Sequence, residues 1–333
     1  MATRFTVIGD GAMGTACALL LAKNPEQHVT LWCQFEANAA DMLAHRENRK
    51  FLPGVAIPEK VRITADFQTA RDAAAFVLAV PTVYVGPTLE TLKAAWPTGS
   101  PVISVIKGIE RETFRTPSQI IEGVLGHQPV IVLSGPSHAE EIAREKPASV
   151  VASSGDLRLA RQVQQWFSTD RFRVYTTPDL RGTELGGALK NVIAIAAGIC
   201  DGLEFGDNAK SALVTRGLVE MVRLGKFLGA EEETFYGLAG LGDLITTCMS
   251  RHSRNRRVGD QLGRGMTLDE ILASSPQVAE GVWTSRSVHD LSLKHRIEMP
   301  VSEEVYQILF EKKNPLKAVA DLMTRELKPE RST

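Results

Sequence analysis

The first half of the chain alternates short apolar runs with longer amphipathic stretches. Runs rich in Val, Ile and Leu predict strands at residues 4–8, 28–32, 61–64, 75–80, 101–106, 129–133, 148–153 and 171–175. Helical periodicity fills several of the intervals, at residues 15–23, 83–95, 117–125 and 157–167. Strands that alternate with helices predict a doubly wound, mostly parallel sheet. Ligands of such sheets bind beyond the carboxyl ends of the strands, so those ends are the first places to search for chemistry.

The second half of the chain loses its strand signals and becomes helical. Residues 181–198 are apolar almost all round a helix, which predicts that this helix is buried. Residues 209–228 repeat apolar positions with helical spacing. The change of pattern predicts two domains, an α/β domain over residues 1–178 and an all-α domain over residues 179–333.

One charged residue interrupts the apolar helix near its centre. Lys190 is followed by Asn191, and the nearby Gly186 and Gly187 leave little bulk, so other backbone or a ligand can approach closely. A buried ammonium costs several kcal/mol unless it is paired or used. Lys190 is therefore a candidate catalytic residue. The alternative is a lysine that snorkels from a core helix to water.

The turn after the first predicted strand has the spacing of a dinucleotide-binding site. Gly9, Gly11 and Gly14 form G-x-G-x-x-G between a strand and a helix. Gly9 allows a tight turn, Gly11 lets a pyrophosphate approach the backbone, and Gly14 lets helix and strand pack closely. The helix N-terminus then faces the phosphates. The pattern predicts a Rossmann-type domain, and the alternative is a glycine-rich turn in another α/β protein.

The end of the second predicted strand bears on the choice of cofactor. NAD-binding folds often place Asp or Glu there to hold the ribose 2′-hydroxyl. This chain has Gln34 instead, and Glu36 comes slightly late. An anionic 2′-phosphate would not be repelled, which favours NADP(H). No arginine stands there either, and Arg46 or Arg49 supplies positive charge only if the chain folds back, so NADPH and NADH both stay open.

Two further strand ends carry polar residues. Lys107 follows one strand and precedes a glycine, and Gly135 opens a turn in which Ser137 is placed to cap a helix. Lys107 and Ser137 are candidate binding residues. The alternatives are a solvated loop lysine and a simple helix cap. We expect a structural or exposed role for His138.

Two polar segments stand out in the helical half. Asp243 follows two glycines at a predicted helix start, where capping is its alternative role. Ser253, Arg254 and Asn255 lie in the most basic stretch of the chain, residues 250–257. A guanidinium fork, amide donors and free backbone N–H groups suit a phosphate. A solvated basic turn and nucleic-acid binding are the alternatives.

Composition and charge narrow the possible functions. The 333 residues carry a formal net charge of −1, so no overall field attracts nucleic acid or an acidic membrane. The four cysteines form no C-x-x-C pair, which predicts neither a zinc site nor a disulfide framework and fits a reducing cytoplasm. Glycines interrupt the first apolar run, so we expect no secretory signal, and no run of about 18 apolar residues predicts a membrane span.

Taken together, these motifs resemble one family over essentially the whole chain, the NAD(P)-dependent glycerol-3-phosphate dehydrogenases of the bacterial biosynthetic type. The matching segments occur in order at residues 9–14, 51–54, 107–110, 134–141, 187–191, 240–244, 246–248, 253–255 and 278–281. Several motifs in one order are far more specific than any single motif.

The resemblance implies reversible hydride transfer from NADPH or NADH to dihydroxyacetone phosphate, which gives sn-glycerol 3-phosphate, a precursor of phospholipids. It implies that Lys190 donates or accepts the proton at the carbonyl oxygen. The implied substrate-binding residues are Lys107, Gly135, Ser137, Lys190, Asn191, Asp243, Thr247, Ser253, Arg254 and Asn255. The implied cofactor-binding residues are Gly9, Gly11, Ala12, Met13, Gly14, Gln34, Lys107, Ala139, Arg254, Val278 and Glu280.

The chain departs from the family pattern at two places. Ala12 and Met13 stand where the family often has a pair with a hydroxyl group, and Gln34 stands where it often has arginine. Two rival interpretations remain. One is another two-domain dehydrogenase that acts on a β-hydroxy acid or a sugar acid, and the other is a nicotinamide-sensing protein without activity. We also expect a homodimer.

Chemistry assigns different tasks to the charged candidates. An ammonium in an apolar helix has a lowered pKa, which suits Lys190 to deliver a proton to the alkoxide formed at the carbonyl. Lys107 should lower that pKa further and polarise the oxygen, whereas Asp243 holds Lys190 by pairing. Arg254 orients the substrate through its phosphate, far from the reacting carbon. We expect no metal ion.

Overall fold

The first half of the chain forms one large sheet. The computed structural model describes residues 3–274, 279–327 and 329–330. Its strands are β1 (Thr3–Ile8), β2 (Gln27–Trp32), β3 (Glu47–Asn48), β4 (Leu52–Ala56), β5 (Val61–Thr64), β6 (Ala75–Leu78), β7 (Val102–Ser104), β8 (Val130–Ser134), β9 (Ala148–Ser153) and β10 (Phe172–Thr177). Eight strands form the sheet in the order β10-β9-β8-β7-β6-β1-β2-β5, while β3 and β4 form a separate antiparallel pair. Within the large sheet only β8 and β9 run antiparallel to each other, so the predicted mostly parallel sheet is confirmed.

Helices cover both faces of this sheet. They are α1 (Ala12–Leu21), α2 (Glu36–His45), α3 (Thr82–Leu92), α4 (Pro117–Leu125), α5 (Ala139–Ile142) and α6 (Leu157–Phe167). Successive residues of a strand point to opposite faces. In β6, Val77 packs with the core under α1 and α6, whereas Phe76 and Leu78 pack with the core under α3 and α4. Both faces are therefore buried, as the continuous apolar runs of the strands require.

The second half of the chain is helical and is built around one central helix. Its helices are α7 (Leu180–Gly202), α8 (Gly206–Phe227), α9 (Glu232–Tyr236), α10 (Asp243–Met249), α11 (Arg254–Gly263), α12 (Leu268–Ser274), α13 (Glu280–His295), α14 (Pro300–Phe310) and α15 (Pro315–Met323). Helix α7 begins after Asp179, whose side chain accepts a hydrogen bond from Gly182 N at 2.8 Å. It packs against α8, α10, α11 and α13. By length and hydropathy α7 is the one described helix able to cross a membrane, but 89% of its most apolar window is buried, which marks it as a core helix.

Glycines bring α7 and α11 unusually close. A Cβ atom on Gly198 would lie 1.9 Å from the Arg256 carbonyl oxygen, and one on Gly259 would lie 1.9 Å from the Ile195 carbonyl oxygen. Real Cβ atoms cannot approach so closely, so this helix crossing requires glycine at both positions. The crossing holds the N-terminus of α11 beside the middle of α7.

The strands end earlier than their apolar runs predict. Strand β6 ends at Leu78 and β7 ends at Ser104, two residues before the predicted ends of both runs. The apolar residues that follow each strand line a cleft at this edge of the sheet. These residues are apolar because they form the wall of the cleft. Sequence periodicity cannot distinguish them from the strand residues that precede them.

Candidate active site

A cleft of about 200 Å³ lies between the carboxyl edge of the sheet and the helical half. It is lined by residues of the glycine turn, the ends of β6 and β7, α7 and the start of α11. Of the predicted site residues, those that line it are Ala12, Met13, Lys107, Ser137, Ala139, Lys190, Asn191, Thr247, Ser253, Arg254, Asn255 and Glu280. Segments that are far apart in sequence thus meet at one place.

The glycine turn has the geometry expected for a dinucleotide. Gly9 has a φ angle of +112°, a conformation that side chains disfavour. A Cβ atom on Gly14 would lie 1.9 Å from Gly9 O, so this glycine permits close packing of α1 on the turn. A Cβ atom on Gly11 would meet nothing within 4 Å, which leaves space for a ligand against the backbone. These three positions fit the pyrophosphate of a nicotinamide cofactor at the N-terminus of α1.

Lys190 is buried and paired rather than snorkelling to water. Its side chain projects from α7, and the residue is only 5% exposed. The Nζ atom donates hydrogen bonds to Asp243 Oδ1 and Thr247 Oγ1, each at 2.6 Å. Asp243 is 2% exposed and begins α10 without capping it, since Gly242 is the N-cap residue. Its carboxylate therefore serves the lysine rather than the helix end.

Lys107 completes this buried cluster from the sheet side. Its Nζ atom donates to the second oxygen of Asp243, Oδ2, at 2.8 Å, so one carboxylate bridges two ammonium groups. It also donates to Gly135 O at 2.9 Å and to Ser137 Oγ at 3.0 Å. A Cβ atom on Gly187 would lie 3.3 Å from Lys107 Cγ, so the absence of a side chain there admits the lysine.

The capping role considered for Ser137 is wrong. The N-cap residue of α5 is His138, and no side chain caps that helix. Ser137 Oγ instead donates to Gly135 O at 2.7 Å and accepts from Lys107. The Ser137 hydroxyl thus helps to hold the Lys107 ammonium group at the end of the strand, and it does not cap the helix.

Burial and neighbouring charges shift the titration of the cluster. Burial lowers the pKa of Lys190 to about 8; the Asp243 carboxylate opposes this shift, and the Lys107 charge adds to it. Burial alone would raise the pKa of Asp243, but the charges of Lys107 and Lys190 hold it below its ordinary value. A lysine with a pKa near 8 can both donate and accept a proton near neutral pH.

The opposite end of the cleft is formed by the start of α11. Ser253 caps this helix by accepting a hydrogen bond from Arg256 N at 3.1 Å. Asn255 Nδ2 donates to Asn191 Oδ1 at 2.8 Å, and Asn191 Nδ2 donates to Lys107 O at 3.1 Å. These amides link α11 to α7 and to the sheet. The exposed Arg254 side chain lines the cleft beside them.

Glu280 joins the two halves of the molecule. It begins α13, and its Oε1 atom accepts a hydrogen bond from Thr82 N, at the start of α3, at 2.8 Å. Burial raises the pKa of Glu280, and the positive charge of Arg254 opposes that shift. Gln34 is exposed at the end of β2, outside the cleft lining, and the predicted contact Val278 lies outside the described residues.

Sequence reasoning missed two histidines in the cleft wall. His138 and His252 line the cleft, with their ring centroids 6.0 Å apart. Burial lowers the pKa of His138, and the charges of Lys190 and Lys107 act in the same direction. The position of His138 directly after Ser137 was the available signal. In the described part of the chain, no group of three or more His, Cys, Asp or Glu side chains could hold a metal ion.

Comparison with known proteins agrees with this geometry. The profile of the NAD-dependent glycerol-3-phosphate dehydrogenase N-terminus matches residues 4–160, and that of the C-terminus of the same family matches residues 179–320. A glycerol-3-phosphate dehydrogenase (NAD(P)+) from Chlorobium limicola is 46% identical over 328 residues, which cover 97% of this chain and 98% of the relative. One from Citrifermentans bemidjiense is 47% identical over 334 residues, or 99% of each chain.

A solved structure extends the likeness to three dimensions. The crystal structure of glycerol-3-phosphate dehydrogenase from Coxiella burnetii superposes with a TM-score of 0.93 at 36% identity, covering 97% of this chain and 99% of that one. Both halves of the fold are therefore shared. The chain belongs to the NAD-dependent glycerol-3-phosphate dehydrogenase family.

Proposed function

We propose that this chain catalyses the reversible, NAD(P)-dependent reduction of dihydroxyacetone phosphate to sn-glycerol 3-phosphate. One observation carries the proposal. A buried ammonium with a lowered pKa, Lys190, lies in the same cleft as a glycine turn suited to a dinucleotide and an exposed guanidinium, Arg254. This arrangement suits a ketone that carries a phosphate.

The cofactor would be held by the glycine turn together with other residues of the cleft lining. Gly11 leaves the backbone open to the pyrophosphate, and Ala139 and Glu280 also line the cleft. When bound, the reduced nicotinamide supplies the hydride. The chain's own residues then position the ketone and manage the charge that develops on its oxygen.

Lys190 donates the proton. As the carbonyl oxygen becomes an alkoxide, an ammonium within hydrogen-bond reach stabilises that charge and delivers a proton. Lys107 adds a second positive charge, and Asp243 fixes both ammonium groups so that little reorganisation is needed. In the oxidation direction the neutral amine of Lys190 accepts the proton.

Arg254 and Asn255 bind the substrate phosphate at the N-terminus of α11. Arg254 offers a planar fork of donors, and the helix N-terminus adds backbone N–H groups. Asn191 and Ser253 complete this end of the site. The phosphate lies away from the reacting carbon, so these contacts orient the ketone.

The proposal extends to domain organisation, location and assembly. Residues 1–178 bind the cofactor and residues 179–333 supply most of the substrate site. A cytoplasmic location fits the four free, buried cysteines. A homodimer would cover exposed apolar side chains of the helical half, such as Phe227 and Met323. Light scattering coupled to size exclusion tests the dimer.

A substrate panel tests the reaction. Initial rates are measured with dihydroxyacetone phosphate, with unphosphorylated dihydroxyacetone and with β-keto acids, using NADPH and NADH in parallel. We expect rapid turnover of the phosphorylated ketone alone. Preference for a β-keto acid would support the rival dehydrogenase, and nucleotide binding without turnover of any substrate would support a sensor.

A further inference from the structure

The glycine turn places a carboxylate beside the end of β2. Ile8 of β1 pairs with Trp32 of β2, and Gly9 N donates to Trp32 O at 3.1 Å. Asp10 follows Gly9 directly, in the turn that leaves the end of β1. Dinucleotide-binding folds place the adenosine ribose here, where an acidic residue contacts its 2′-hydroxyl. This chain lacks that residue on β2 but presents a carboxylate from the glycine turn that follows the neighbouring strand β1.

Hydrogen bonds fix Asp10 in this place. Asn38, in the first turn of α2, donates from Nδ2 to Asp10 Oδ2 at 2.7 Å. Asn48 donates to the Asp10 carbonyl oxygen at 2.7 Å and to Thr15 Oγ1 at 2.8 Å. The carboxylate therefore faces the segment that follows β2. Burial raises the pKa of the Cys33 thiol to about 12, and the Asp10 charge adds to that shift, which places the carboxylate near the end of β2.

The cations that follow β2 are already engaged. Arg46 donates to Ile57 O at 3.1 Å and to Val61 O at 3.0 Å, so its guanidinium is held among backbone carbonyls. Arg49 is paired with Asp41, on the same helix–turn segment. Lys50 lies over the ring of Phe51, 4.9 Å from its centroid.

Two carboxylates stand near the end of β2. Asp10 is only half-buried, and the exposed Glu36 adds a second carboxylate at the start of α2. A 2′-phosphate placed here would meet like charge, and each of the three described cations that follow β2 already has a partner. Like charges a few ångströms apart repel each other even in water-like surroundings.

We propose that this chain binds NADH in preference to NADPH, and that Asp10 is the residue that excludes the 2′-phosphate. The inference rests on the proposed cofactor site at the glycine turn. It reverses the preference for NADP(H) suggested by the absence of an acid at the end of β2, because the acid comes from the glycine turn after β1 instead.

Direct binding tests the proposal. Isothermal titration of the full chain with NAD+ and NADP+, and with the fragments AMP and 2′,5′-ADP, gives the ratio of the dissociation constants with and without the 2′-phosphate. We expect the phosphate-bearing ligand of each pair to bind at least about tenfold more weakly. Equal or tighter binding of NADP+ would overturn the proposal.

An isosteric substitution tests the role of Asp10. Asp10→Asn removes the charge and keeps the shape. The dissociation constant of NADP+ relative to that of NAD+ should therefore fall by about tenfold. Asp72→Asn is the matched control, because Asp72 pairs with Arg4 at the opposite end of β1 and its loss should leave the ratio unchanged. A ratio that Asp10→Asn does not narrow would overturn the assignment to Asp10.

Salt dependence decides the matter without a variant, in case Asp10→Asn fails to fold. Salt screens repulsion, so in the natural chain the dissociation constant of NADP+ relative to that of NAD+ should fall as ionic strength rises. If a cation bound the 2′-phosphate, salt would weaken that contact and this ratio would rise, which would contradict the proposal. Failure of the proposed reaction would appear separately, as nucleotide binding without turnover of dihydroxyacetone phosphate.

Discussion

The two ends of the cleft carry positive charge in opposite ways. At the inner end, Lys190 and Lys107 share the buried carboxylate of Asp243. At the outer end, the Arg254 side chain is exposed at the N-terminus of α11, on a helix held by amide contacts and close glycine packing.

This difference in burial assigns proton transfer to the inner end of the cleft and substrate binding to the outer end. Buried charges in fixed positions shift one another's pKa values and need little reorganisation during reaction. An exposed guanidinium keeps its ordinary charge, makes its strong contacts only when an anion arrives, and is screened by salt. Changes at the inner end should therefore alter turnover and its pH dependence, whereas changes at the outer end should alter affinity.

The largest expected effect comes from removing the buried ammonium. Lys190→Met should lower kcat for dihydroxyacetone phosphate by about 10²–10⁴-fold, because no group remains to protonate the alkoxide. The Michaelis constant should change little, since the phosphate contacts survive. Steady-state kinetics measures both quantities.

Lys313→Met is the matched control for that loss. The Lys313 side chain is also largely covered and pairs with the carboxylates of Glu304 and Asp321, but it lies in the segment between α14 and α15, outside the cleft lining. Its substitution should leave kcat near the natural value. Equal losses in both variants would mean that Lys190 matters only for folding.

The next effect concerns affinity for the phosphate. Arg254→Ala should raise the Michaelis constant for dihydroxyacetone phosphate by about 10–100-fold, the cost of a lost hydrogen bond to a charged group, with a smaller change in kcat. Arg257→Ala removes an exposed arginine one turn further along α11 and should have little effect. If the two variants behaved alike, Arg254 would not bind the phosphate.

The pH dependence sharpens the contrast. Reduction requires protonated Lys190, so kcat/KM should fall as pH rises through the pKa of about 8, and oxidation of glycerol 3-phosphate should fall as pH drops through the same value. Lys107→Met removes a like charge, which should raise the pKa of Lys190 and move the fall in kcat/KM for reduction to higher pH. Asp243→Asn removes an opposite charge and should move it to lower pH. Shifts in the same direction for both variants would contradict the cluster.

The smallest effect on activity tests how the two ends are joined. Gly198→Ala places a methyl group against the Arg256 carbonyl and should push α11 away from α7. We expect a loss of about 1–3 kcal/mol in the free energy of unfolding and a few-fold rise in the Michaelis constant. Gly155→Ala, where a Cβ atom meets nothing within 4 Å, is the control for thermal unfolding.

Features formed by contiguous residues could be predicted from the sequence, whereas most contacts between distant residues could not. The strands and the glycine turn are contiguous segments whose apolar periodicity and glycine spacing suffice, so the sheet was predicted nearly strand by strand. The bridge through Asp243 joins residues 53 and 136 positions away along the chain. Residue chemistry suggested a pairing of Lys190 with Asp243, but only the fold shows that the same carboxylate also holds Lys107.

Two contacts beside β8 could not be predicted from the local sequence, for the same reason. Capping was a possible role for Ser137 by its residue type, but its hydroxyl accepts a hydrogen bond from Lys107, which is distant in sequence, and a local pattern contains no sign of that contact. His138 gave no periodic signal at all, and only the packing of the turn against the helical half places it in the cleft wall.

The division of roles between Lys190 and Arg254 is tested most directly by comparing kcat/KM for a phosphorylated and an unphosphorylated substrate. The ratio of kcat/KM for dihydroxyacetone phosphate to that for dihydroxyacetone is measured in the natural chain, in Lys190→Met and in Arg254→Ala. The account predicts that Lys190→Met lowers both rates and preserves the ratio, whereas Arg254→Ala collapses the ratio towards one. A ratio that Lys190→Met collapses, or that Arg254→Ala leaves intact, would contradict it.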